Sequence, residues 1–242
     1  MAQELRRMVS GRGFLAAVLL AAIAIAGGTT WKAQEELLPA GWFFTAWKSA
    51  LESKAVCFLV PAAAVLPWSD SFLQERRGGF LKACLPRTGR RGYVEAKIIS
   101  VALGGFLAWV VAGFLMCFLY FVLFFPQERQ GMIQPEAALE GMQILLRIGL
   151  IAAIVATLGG ICGILGGSGY LAFGIPFTGY YFCIILQERY FPDALWLYPP
   201  QWIRGDAKWG EKGEGLWMFL LLFLAVAVAA HAAVLYRKLE EL

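Results

Sequence analysis

The chain has 242 residues, 60% of them hydrophobic and only 16% charged, where an average soluble domain carries roughly 25% charge and 45–50% apolar residues. Its apolar residues gather into long uncharged blocks, several of them at or above the ~18 residues that a membrane-crossing helix needs. This excludes a soluble globular enzyme and a disordered chain, and a net charge of +4 is too small and too scattered for nucleic-acid binding.

The fold class expected is an all-α membrane protein, one transmembrane domain over residues 1–242 with six transmembrane helices. Met1–Arg12 followed by an apolar run has the outline of a signal peptide. The run is long, however, and ends in Gly27-Gly28-Thr29-Thr30 without a small-x-small cleavage site, so it reads as a retained first span, Phe14–Trp31. The second apolar block, Ala55–Trp68, has fourteen uncharged residues, too few to cross alone. Phe43, Trp47, Ala50 and Leu51 fall at helical spacing just upstream, so the span is expected to begin near residue 50, with Lys54 snorkelling. Ile98–Pro126, Ile148–Gly167, Tyr170–Gln187 and Gly215–Tyr236 complete the set, and the third is long enough that it must tilt or protrude.

Lysine and arginine placement orients the chain. With the N-terminus inside, Met1–Gly13, Ser69–Lys97, the Gly166–Gly169 turn and the C-terminal tail hold twelve basic and six acidic residues, and the other side holds nine and eleven. That split of +6 against −2 places both termini in the cytoplasm. Trp31, Trp42, Phe43, Phe44 and Trp47 precede the second span, and Tyr190, Phe191, Trp196, Tyr198 and Trp202, interleaved with prolines, precede the sixth. Such rings favour the headgroup layer, so the last outer loop is expected to dip partly back into the membrane.

The span interiors contain no central Asp or Glu. Arg147 sits at one end of the fourth span and His231, the single histidine, near the end of the sixth. Coupling to an ion gradient needs ionisable groups at membrane depth, and these spans offer no proton relay or sodium cage. Nor is there a Gly-x-x-x-x-Gly-Lys-Ser/Thr phosphate loop, so transport would draw its energy from another polypeptide. The five cysteines, four in apolar blocks and Cys84 in a basic loop, form neither a C-x-x-C pair nor a metal-ligand spacing. No cofactor or metal is expected in this chain.

The loop between the second and third spans, residues 69–97, is the most informative. Ser69, Asp70 and Ser71 are good helix N-caps and Pro86 is a natural stop. Between them Leu73, Phe80, Leu81, Cys84 and Leu85 share an apolar face while Glu75, Arg76 and Arg77 stay polar. The expectation is a short amphipathic helix over Ser71–Leu85 joined to the long third span. The order of elements resembles the type-2 family of ABC-transporter permeases, six-span proteins with a coupling helix in this loop. The matching positions are Phe72, Glu75, Arg76, Gly79, Leu81, Pro86, Arg90, Tyr93 and Lys97. Ser168–Phe177 through Gln187–Phe191 is similar to span five of certain bacterial members, and Leu197–Ile203 to the loop that follows.

The resemblance implies a bacterial plasma-membrane subunit that pairs with a second permease copy or a paralogue. It also implies two cytosolic ATP-binding cassette subunits, which hold the ATP and magnesium. It places the ATPase interface on Asp70, Ser71, Phe72, Glu75, Arg76, Arg77, Gly79 and Leu81, and the chain itself is then not an enzyme. Spans without polar lining suit lipid-like, drug-like or amphipathic peptide cargo. An alternative rests on Gly166-Gly167-Ser168-Gly169 and His231, which resemble the serine and histidine of rhomboid intramembrane proteases. A serine nucleophile needs a base within hydrogen-bond reach, and the topology above puts Ser168 in a cytoplasmic turn, away from any outward-opening cavity.

Overall fold

A computed structural model describes residues 2–29, 38–129, 131, 135–205, 209 and 214–241, leaving aside the side chains of Ala2 and Lys82. Thr30 and Trp31, the expected end of the first span, lie outside the described residues. The described chain is helical, with α1 (Ala2–Val9), α2 (Arg12–Gly27), α3 (Trp42–Leu51), α4 (Lys54–Val65), α5 (Ser71–Arg77), α6 (Phe80–Phe124), α7 (Glu136–Gly166), α8 (Gly169–Arg189), α9 (Pro199–Arg204) and α10 (Glu214–Glu240). Among the described residues the nearest thing to a sheet is one isolated bridge, Leu38 to Glu128.

Four helices, α6, α7, α8 and α10, are long and apolar enough to cross a membrane, and α1 with α2 makes a fifth if the pair, bent by 50°, is one span. These are the lengths and compositions of a multi-pass membrane protein. The helix α7 forms the hub: 72% of its most apolar window is buried, against 17% for α8 and 22% for α10. Glycines let its neighbours approach. A Cβ on Gly105 of α6 would lie 2.7 Å from the Ala152 carbonyl, and one on Gly159 of α7 would lie 2.8 Å from the Ala172 carbonyl of α8.

The elements gather at two ends. At one, α1, residues 66–97, the turn at Gly167 and the end of α10 meet. Arg7 pairs with Glu75, Lys97 with Glu4, Arg77 reaches the Gly167 carbonyl, and Phe72, Leu81, Leu235 and Leu239 share one apolar cluster. At the other, Glu128 accepts hydrogen bonds from the Gly41 and Phe43 amides, Lys48 pairs with Glu140, and Tyr198 donates to Glu188. The four segments expected to share one side of a membrane therefore lie at one end.

Several boundaries differ from the sequence expectation, each for a physical reason. The second span is not one helix. Phe43, Trp47, Ala50 and Leu51 are the buried face of α3 as their spacing requires, but the chain breaks at Glu52, and Ser53 starts α4 by accepting a hydrogen bond from the Val56 amide. Twelve residues of α4 rise about 18 Å, short of the ~30 Å hydrocarbon core. The expected helix Ser71–Leu85 is also two helices. It stops at Gly78, and Gly79, at φ +70, opens α6 in a left-handed conformation that favours glycine. Pro86 does not end that helix. Residues Pro86–Gly92 are exposed, and Pro86 sits within the helical stretch that runs from Phe80 to the break. The break comes at Gly89, whose φ 68 and ψ 159 are open essentially to glycine alone. Finally, Arg147 is not at a helix end. It is the twelfth residue of α7 and is buried.

A buried charge cluster at the foot of the long helix

The segment 69–97 places most of its apolar side chains inward. Phe72 and Leu73 of α5 pack with Leu81, Tyr93, Val94 and Ile98 of α6, Ile164 of α7, and Leu235 and Leu239 of α10. Residues 72, 73 and 75 point inward and 74, 76 and 77 outward, so Glu75 shares the buried side. Its carboxylate is 4% exposed and sits 2.9 Å from Lys97 Nζ, whose own side chain is 1% exposed. Two buried charges are tolerable only when paired and hydrogen-bonded, and the remaining lone pairs are met. Tyr93 donates to Glu75 Oε2 at 2.6 Å, Arg7 Nη1 reaches Oε1 at 3.2 Å, and Lys97 also approaches Glu4 at 3.4 Å. Aromatic faces complete the enclosure. The Arg7 guanidinium lies 4.9 Å from the Phe80 ring and 5.8 Å from Trp68, and Lys97 lies 5.5 Å from Trp68 and from Tyr93. Burial by itself raises the Glu75 carboxyl, but the Lys97 charge and the hydrogen bonds from Tyr93 and Lys97 outweigh it and hold it below the ordinary carboxylate value.

The eight residues expected at a partner interface divide. Arg76, Arg77 and Gly79 are exposed and Asp70 is half-buried, holding the Gln74 amide. Ser71, Phe72, Glu75 and Leu81 are inside the subunit. Glu75, expected on the polar face, is instead the centre of the cluster, and Phe72 and Leu81 anchor α5 to its own chain. Sequence reasoning missed Glu4, Arg7 and Phe80. The available signal was Lys97 itself, a cation at the mouth of a 30-residue uncharged run, which a folded chain has to pair with a carboxylate.

Ser168 and His231 are not brought together. Ser168 stands at the start of α8 in the turn after Gly167, while the His231 ring packs on Gly160 of α7, where a Cβ would lie 2.7 Å from its Cε1. Helix α7 continues six residues beyond Gly160, about 9 Å, before that turn. No hydrogen bond joins the two among the described residues, and His231 Nδ1 is buried without a hydrogen-bond partner. A serine–base pair is therefore not assembled. No protein-family model matches the chain, and no curated protein matches it either.

Proposed function

We propose that this chain is the membrane-spanning subunit of an ATP-driven ABC exporter, an integral protein of a bacterial plasma membrane that moves lipophilic or amphipathic cargo. It works as one of two permease copies or paralogues, with two cytosolic ATP-binding cassette subunits supplying hydrolysis. In this reading the chain crosses six times, through α1–α2, the α3–α4 pair, α6, α7, α8 and α10. Both termini are cytoplasmic, and the α9 segment is a partly re-entrant outer loop. The coupling element is α5 together with the first turn of α6, presenting Arg76, Arg77, Gly79 and Phe80 to the ATPase.

One observation carries the reading: the Glu75–Lys97 pair, closed by Tyr93 and Arg7, fixes α5 to the long stretch of α6 that runs from the break at Gly89 to Phe124. A short helix on the end of a bundle transmits force only if it is rigidly tied to something that crosses. A buried ion pair between two elements is such a tie, because separating the partners strands charges in a poor dielectric. The test is purification of the solubilised full chain from its native membrane. A phosphate-loop ATPase should co-purify in stoichiometric amount, and Arg76→Glu with Arg77→Glu should strip it. Absence of any such ATPase, with the chain intact and folded, sinks the proposal.

A further inference from the structure

Where α7 and α10 end together, a groove of about 400 Å³ opens between Ile164 and Leu165 of α7 and the side of α10 that carries Ala233, Val234, Arg237 and Lys238. Its volume is within the range of ligand sites. Positions 233, 234, 237 and 238 share one face because residues three and four apart are neighbours on a helix. The other face, with Leu235 and Leu239, is already buried against Phe72 and Leu81. The groove is therefore graded along its length, apolar on the side of the span and cationic one turn further on. Leu165 is 71% exposed, and the rings of Tyr170 and Tyr236 are exposed at the same end of the bundle. Tyrosines of this kind favour the headgroup layer, so the groove sits where acyl chains give way to headgroups.

The two cations converge on one anion. Glu241 lines the same groove and lies 2.6 Å from Lys238 Nζ and 4.0 Å from Arg237 Nε. Lys238, then Arg237 and Arg76 of α5, hold its carboxyl below the ordinary carboxylate value. Three cations thus act on one carboxylate, which leaves positive charge in excess at a place that already accommodates an anion. Glu241 is also a weak occupant. Its side chain is 50% exposed and that of Arg237 is 86% exposed, and ion pairs so open to solvent hold loosely. A second anion can join it or displace it. The apolar half, edged by the exposed Leu165 and Ala233, belongs to two helices long and apolar enough to cross a membrane, and a water-borne anion would leave it unfilled. Charge and lining together match an anionic head on an apolar body.

We propose that this groove binds an anionic glycerophospholipid, its phosphate between Arg237 and Lys238 and the start of an acyl chain on Leu165, Ala233 and Val234. Basic side chains just beyond the end of a span recognise anionic lipid in this way. The site is contained in a single chain and does not rest on the exporter reading.

The full chain, delipidated in detergent, is titrated with phosphatidylglycerol and with phosphatidylcholine of the same acyl chains, and bound lipid is counted by native mass spectrometry. One phosphatidylglycerol per chain should be retained in preference to phosphatidylcholine. Arg237→Gln with Lys238→Gln should weaken that binding about 25-fold, roughly fivefold for each cation. Arg87→Gln with Arg90→Gln removes the same charge from exposed positions at that end that do not line the groove, and should leave binding unchanged. Glu241→Gln should tighten it, since the competing carboxylate is gone, and Ala233→Phe should weaken it by filling the apolar half with every charge in place. Equal losses in the two double variants, equal retention of phosphatidylcholine, or weaker binding in Glu241→Gln overturns the proposal. So does displacement of the lipid by equimolar glycerol phosphate, which makes this a site for free phosphate. Cross-linking of Lys238 to a co-purified protein that excludes the lipid also overturns it, and gives the groove to a protein partner.

Discussion

The Glu75 carboxylate and the Lys97 ammonium lie 2.9 Å apart with almost no exposure, and they join the shortest helix at that end of the bundle to the longest helix in the protein. Their net contribution to stability is small, since desolvating two charges costs about what their attraction returns. Their contribution to geometry is large, because neither tolerates losing the other.

That asymmetry is measurable. Among ion-pair partners, Glu75→Gln leaves Lys97 with Glu4 alone and Lys97→Met leaves Glu75 with Arg7 alone. Each should therefore destabilise the protein by about 3–5 kcal/mol, the cost of removing one partner from a buried pair. The double variant should lose clearly less than the sum, since the orphan is removed with its partner. Thermal unfolding of the detergent-solubilised protein reads this directly, and additive losses show that the pair is not coupled.

Acid should act at the same place. Because the folded state holds the Glu75 carboxyl below its ordinary value, the folded protein binds fewer protons here than the unfolded chain. The stabilisation is therefore complete above the ordinary glutamate pKa of about 4.3 and is lost as pH falls through the lowered folded value. A melting-temperature profile from pH 7 to 3 should drop more steeply at its acid end in the wild type than in Glu75→Gln. Parallel profiles place the acid sensitivity elsewhere.

Phe72 and Phe80 separate folding from docking. Phe72 is 2% exposed in the apolar cluster and Phe80 is 43% exposed beside Arg7. Phe72→Ala should cost about 3–5 kcal/mol of stability. Phe80→Ala should change stability by roughly 0.5 kcal/mol or less yet weaken ATPase assembly by about 2 kcal/mol if this ring anchors the partner. Wild-type assembly of Phe80→Ala, measured by titrating the ATPase on nanodisc-embedded chain, removes Phe80 from the interface.

Topology can be read with single cysteines in a cysteine-free background. Gln74 and Asp193 are both exposed and lie at opposite ends. An impermeant thiol reagent on intact cells should label Asp193→Cys at once and Gln74→Cys only after permeabilisation, following the +6 against −2 charge split. The reverse pattern inverts the orientation, and α5 then cannot meet a cytosolic ATPase.

Ser168 should be inert. A fluorophosphonate that labels activated serines should leave it unmodified, because His231 lies buried against Gly160 with no hydrogen bond to it. Labelling abolished by both Ser168→Ala and His231→Ala replaces the transporter reading with a protease.

The long apolar runs are a local property, and the sequence by itself was enough to place α6, α7, α8 and α10 and to group the basic segments that share one end. Phe43, Trp47, Ala50 and Leu51 were also legible, since helical spacing selects a face whatever that face meets. Hydropathy does not register breaks. Ser53 splitting the second span and Gly89 replacing Pro86 as the bend depend on backbone geometry. Least legible was the charge cluster. Glu75 looks solvated beside Arg76 and Arg77, and only the fold brings Lys97 from 22 positions away and Arg7 from 68 to meet it. A charge is buried or exposed according to its partners, and a partner distant in sequence leaves no periodic trace, so pairing was decided by tertiary structure alone.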